Sequence, residues 1–184
     1  MSLVELIAQA DERGLAASGL ACSDRCVPLL GGDDELLRPL WSHLADGSDW
    51  SVSLEKARGT LTAAGPDEDE AARLARRMLE AAPAERTPEA IRAWADACSV
   101  ASLLIHRLLD PAVDENTPAD DVDAERAGGP ESASPLVAAE LRRQILVLEL
   151  LAEHGNQGLR RALDVSVEGR RVLRAVVSRR ERLA

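Results

Sequence analysis

A chain of 184 residues, 46% of them hydrophobic, holds enough apolar material to close a core without disulfides or metals. Its formal charge of −10 opposes binding to nucleic acid and to anionic lipid, both of which favour a basic surface. With no Phe, no Tyr and three Trp, the interior must be built from Leu, Ala and Val around Trp41, Trp50 and Trp94, and the abundance of Ala, Leu, Arg and Glu favours helix.

Leu3 to Arg13 reads as a short amphipathic helix with Leu3, Leu6, Ile7 and Ala10 on one face and Gly14 as its stop. Leu15 to Leu30 continues in helix, with Leu20, Cys22, Cys26, Val27, Leu29 and Leu30 as candidates for burial, and Gly31-Gly32 ends it. Asp33 is placed to cap the next helix, with Asp34 and Glu35 in its first turn, where the helix dipole favours acids. Leu36, Leu37, Leu40, Trp41 and Leu44 form its apolar stripe, Pro39 predicts a kink near its start, and Gly47 closes it. Trp50 to Ala64 follows, with Leu54, Ala57 and Leu61 facing in, up to a break at Gly65-Pro66. Asp67 to Glu70 supplies an acidic first turn for a helix carrying Ala72, Leu74, Ala75, Met78 and Leu79, which Pro83 ends.

Thr87 to Asp110 is expected to be the central helix. Thr87 caps it, and Pro88 sits at the first helical position, where a missing N–H costs nothing. Ile91, Trp94, Cys98, Ala101, Ile105 and Leu108 recur at steps of three and four, the spacing of a buried seam. Ala90, Ala97 and Leu104 widen that seam, and Ala95, Leu103 and Leu109 carry apolar surface further round. A narrow stripe of Arg92, Asp96, Ser99, Ser102 and His106 stays polar. On this reading, Ala101→Asp buries an unpaired carboxylate and abolishes cooperative folding.

Residues 110–134 hold eight acids against one base, Arg126, with three prolines and two glycines. They read as a solvated connecting loop with one helical turn near Asp120 to Arg126. Ser134-Pro135 restarts the helix, and Leu136 to His154 is the second candidate for a central element. After Gly155, Leu159 to Leu183 reads as a last, more basic helix, open to interruption near Gly169; a short strand through Val165, Val167 and Gly169 is the weaker reading. The fold class that follows is all-α: a single domain over residues 1–184, with seven or eight helices around a buried central helix.

Residues 1–135 carry 12 basic and 26 acidic side chains, and residues 136–184 carry 10 and 6. The basic end is expected to fold onto the acidic remainder, with an exposed basic patch for an acidic partner as the alternative. Three cysteines without framework spacing point to reduced thiols in a cytoplasmic protein, and neither a signal peptide nor a membrane span is expected.

Three stretches together are similar to one bacterial family. The first is Ala21-Cys22 through Arg25 to Pro28, leading into Asp33 to Trp41. The second is Ala95 to Ala101 with Leu103, Leu104 and His106, and the third is Pro135-Leu136-Val137 with Glu140 and the Leu-rich run to Ala152. Their order and spacing over residues 20–155 resemble the YjaG-like family, domain-of-unknown-function family 416. The resemblance implies an all-α domain and carries no activity with it.

Cys22 and Cys26 lie four apart on one helical face, but a structural zinc needs four ligands and no second pair exists, so no metal site is expected. His43, His106 and His154 are not within a turn of a Ser or Cys at a glycine elbow, and the Glu-x-x-His, P-loop and dinucleotide-turn patterns are absent. No catalytic residue and no cofactor is therefore predicted. The best ligand or interaction candidates are Arg92, Asp96, Ser99 and His106. The expected function is that of a non-enzymatic module that binds a protein partner or its own copy. The alternative is a small-ligand-binding protein or enzyme that uses the polar stripe.

Overall fold

The computed structural model describes every residue except 62–64, 66, 115 and 117–120. Among the described residues the chain forms nine α-helices, three 3₁₀ turns and no strand. The helices are α1 (Leu3–Gln9), α2 (Glu12–Arg25), α3 (Arg38–Asp46), α4 (Ser51–Gly59), α5 (Glu70–Glu80), α6 (Pro88–Leu109), α7 (Val122–Gly128), α8 (Pro135–His154) and α9 (Gly158–Leu183). They make one all-helical bundle, as the composition predicts.

Short polar residues set most of the helix starts. Ser2, Asp11, Asp69, Thr87 and Asp121 each accept a hydrogen bond from a backbone N–H of the turn that follows, which satisfies a donor with no partner inside the helix. Pro88 sits in the first turn of α6, as its position predicts. Gly31 and Gly47 take positive φ at the ends of the Val27–Leu30 turn and of α3, the left-handed backbone that a β-carbon disfavours.

Several expected boundaries move. Gly14 is not a stop: it lies in the first turn of α2 and donates its N–H to Asp11 at 2.7 Å, so the break falls at Ala10. Asp33 does not cap α3. It accepts from Glu35 N in a preceding turn, and Pro39 occupies the first turn of the later-starting helix, where it needs no kink. The expected end of the α4 segment at Ala64 lies outside the described residues, and Asp120 does too. Helix α9 runs unbroken through Gly169, so the strand reading fails.

The element enclosed on every side is α2 rather than α6. Residues Gly14 to Arg25 are all buried, and the helix packs against α6, α8 and α9. Its side chains explain this: Gly, Ala, Ser and Cys let three helices approach closely. A β-carbon at Gly19 would come within 2.6 Å of the Trp94 ring, so the tryptophan lies directly on the α2 backbone. Trp94 meets Trp50 edge-on, with centroids 5.8 Å apart. The basic end does fold back: Arg170 pairs with Asp24, which also accepts from Trp41 Nε1 at 3.0 Å, and Arg174 pairs with the exposed Asp34. No helix among the described residues is long and apolar enough to cross a membrane.

Candidate functional site

The polar side chains of α6 meet a charge pair at the centre of the bundle. Arg25, in the last turn of α2, donates from Nε at 2.8 Å and from Nη2 at 2.7 Å to the two oxygens of Glu140 on α8. Both side chains are fully buried. A bidentate guanidinium–carboxylate pair is the form in which two charges best tolerate removal from water. Gly169 on α9 leaves room for it: a β-carbon there would clash with the Arg25 side chain.

Glu140 receives further donors. Ser102 Oγ donates to its Oε1 at 2.8 Å, and Gln144 Nε2 does so at 2.9 Å. Burial alone would raise the carboxyl pKa, but the Arg25 charge, His106 and the hydrogen bonds from Arg25 and Gln144 outweigh it and hold Glu140 at about 2. Among the described residues, Arg25 Nη1 finds no acceptor, so the carboxylate is richly supplied with donors while the guanidinium is not fully supplied with acceptors.

From this centre a chain of hydrogen bonds runs outward. Ser99 Oγ donates to Gln144 Oε1 at 2.6 Å and accepts from Arg126 Nε at 3.1 Å. Arg126 then pairs with Asp96, whose side chain is 54% exposed, and with Asp123. The path from a fully buried ion pair to solvent therefore passes through α6, α8 and α7.

His106 Nδ1 lies 2.7 Å from the carbonyl oxygen of Ser102. A carbonyl only accepts, so Nδ1 carries the proton and Nε2 is the nitrogen that titrates. Nε2 faces Glu140 Oε2 at 3.5 Å. Burial lowers the His106 pKa, Glu140 opposes that, and the Arg25 and Arg143 charges add to the lowering. The thiols beside this centre are not poised for chemistry: burial pushes Cys22 up to about 12 and raises Cys26 and Cys98 as well.

The structure thus divides the predicted stripe. Ser99, Ser102 and His106 are buried in the network, Asp96 marks its solvent end, and Arg92 stands apart. Arg92 donates to the carbonyl oxygens of Ile7, Ala8 and Ala10, which ties α6 to the end of α1. Sequence reasoning missed Arg25, Arg126, Glu140 and Gln144. Three had a signal: Glu140 is a charge inside an apolar run, Gln144 follows it by one turn, and Arg126 is the single base in the acidic segment 110–134, whereas Arg25 directly follows Ser23-Asp24 and stands out less. That segment is also not purely a solvated tether, because Val122, Glu125 and Arg126 of α7 are buried.

The apolar seam expected on α6 is buried at Ile91, Trp94, Cys98 and Ile105, as its spacing predicts, and departs from burial at Ala101 and Leu108. Ala93, Ala97 and Leu108 are exposed, and Ala90, Val100, Ala101 and Leu104 are half-buried. Of the positions expected to form or widen that seam, Ala97 and Leu108 are exposed, while Ala90, Ala101 and Leu104 are half-buried, the last two packed against the core. The physical reason is that Ser99, Ser102 and His106 each find a partner inside, so the buried face extends from the seam toward them and leaves Ala97 and Leu108 out. Beside this arc, Val4, Ile7 and Ala8 of α1 and Glu89, Arg92, Ala93 and Asp96 of α6 line an open groove of about 650 Å³.

No protein-family model matches this chain, and no curated protein or solved structure is significantly similar to it.

Proposed function

We propose that the protein is a non-enzymatic interaction module whose contact surface is the outward face of α6 with the adjoining α1 groove. One observation carries this reading: outside its buried seam α6 keeps a second apolar arc, exposed at Ala93, Ala97 and Leu108, while its hydroxyls and imidazole are consumed inside. An arc of Ala93, Ala97, Val100, Leu104 and Leu108 without an intervening charge is the kind of surface a partner covers. The buried network supports the same reading. Glu140 is saturated with internal donors and His106 is fully enclosed, so neither faces a cleft where a substrate could meet it. A role in the cytoplasm belongs to this proposal, as does membership of the YjaG-like family. Support for the latter is that Cys22, Arg25, Cys98, His106 and Glu140, drawn from all three resembling stretches, gather around one centre.

The test is affinity capture from native extract with the full chain and with its Leu104→Glu, Leu108→Glu double variant as baits. A partner held by the parent and lost by an equally stable variant is the expected result. Equal capture by both baits, or capture by neither together with a parent that does not self-associate, overturns the reading.

A further inference from the structure

Resting on that reading, we infer that the occupant of the α6 face is a second copy of this chain, with α6 packed antiparallel against α6 of the partner about a two-fold axis. A two-fold interface uses the same patch on both copies, so the patch must complement itself. This arc does so in size. Its N-terminal half carries the exposed Ala93 and Ala97 and the half-buried Ala90, and its C-terminal half carries the exposed Leu108 and the half-buried Val100 and Leu104, which also pack against the core, with Ala101 near the middle. When two copies run antiparallel about a point between Cys98 and Ser99, Ala97 lies opposite Val100 and Ala93 opposite Leu104. Small residues then meet large ones along the contact, the arrangement that lets facing helices interdigitate. A parallel pairing would set small against small and large against large.

The patch also complements itself in charge. Glu89 and Arg107 are eighteen residues apart, which is five turns at about 3.6 residues per turn, so both lie on the same edge of the arc. Rotation about the two-fold keeps that edge on its own side and reverses its direction. Glu89 of one copy therefore arrives within about one residue rise, ~1.5 Å, of the level of Arg107 of the partner subunit, and the reverse pair forms at the other end. Glu89 is exposed, and Arg107 also makes a contact within its own chain. Asp96, on the same side of the helix, is neutralised by Arg126 of its own chain and so adds no net repulsion between the copies. The charge of −10 on each copy opposes association, so the dimer is weak and concentration-dependent.

Sedimentation velocity on the full chain over a wide concentration series tests this. The parent is expected to shift from monomer to dimer. Ala97→Glu, which places two carboxylates beside the two-fold without touching the core, should weaken the dimer by at least about tenfold. The decisive arm exchanges the sizes: Ala93→Leu and Leu104→Ala each weaken the dimer alone, and the double variant restores it. A parent that stays monomeric at every concentration overturns the second copy as occupant, and the capture experiment then judges the interaction reading independently. A parent dimer that the double variant fails to restore overturns the antiparallel register.

Discussion

The inner and outer faces of α6 differ in how they are held: beside the buried apolar seam of Ile91, Trp94, Cys98 and Ile105, the inner face also takes in three polar side chains, while the outer face is a small apolar arc. Inside lie Ser99, Ser102 and His106, each hydrogen-bonded, against Arg25 and Glu140; outside lie Ala93, Ala97, Val100, Leu104 and Leu108. The difference teaches that apolar periodicity locates the buried seam but not how far round the helix burial extends. Polar groups go inward when other helices bring matching partners, and α2 and α8 do so here. The inner face is then specified by many directional contacts, and the outer face by very few.

The largest break in this comparison should come from the inner face. Glu140→Ala leaves Arg25 buried without its counter-charge and is expected to destabilise the fold by about 3–5 kcal/mol in chemical denaturation. The double change Arg25→Met, Glu140→Leu should recover most of that loss, since removing both charges leaves none uncompensated. A single variant as stable as the parent would mean that the pair is solvated.

Acid should reach the same centre more gradually. The folded pKa of Glu140, held at about 2, lies below its ordinary value of 4.5. The stability it contributes is therefore present above about 4.5 and is lost as pH falls toward 2. His106 has a folded pKa below its ordinary 6.5, so the unfolded chain takes up its proton first, and stability declines as pH drops below that value. Urea midpoints measured from pH 7.5 down to 3 should fall throughout. His106→Gln should flatten the upper part of the decline and leave the lower part, which belongs to Glu140.

The smallest effect is expected outside. Ala101→Asp adds a carboxylate to a half-buried position at the edge of the outer arc, and a thermal melt should show a cost within about 1 kcal/mol. The periodicity of α6 taken alone predicts loss of folding for this change. A collapse would show that the arc is covered in the native state, which sharpens the contrast from the other direction.

Local chemistry was legible at many helix ends, though not at Gly14, which lies inside α2, or at Asp33, which does not cap α3. The caps at Thr87 and Pro88, the turn at Gly47, the helix from Pro135 to His154 and the all-helical class follow from residue types and short spacings, because each is settled within a few residues. The return of the basic end to the acidic remainder was legible too, since opposite charges on one chain attract. Of the site, Asp96, Ser99 and His106 could be singled out as a stripe, but their partners could not. Arg25 and Glu140 are 115 residues apart, and nothing local brings them together.

Sequence alone therefore determined that this chain is helical, where most of its helices begin and end, and which residues on α6 are polar. Tertiary structure alone decided that α2 is the enclosed element, that Arg92 leaves the stripe for the end of α1, and that Ser99, Ser102 and His106 turn inward while Asp96 stays at the surface. The physical reason is that burying a polar group is costly by itself and inexpensive beside a matched partner. Whether the partner is there depends on how α2, α7 and α8 assemble around α6, which no window of local sequence contains.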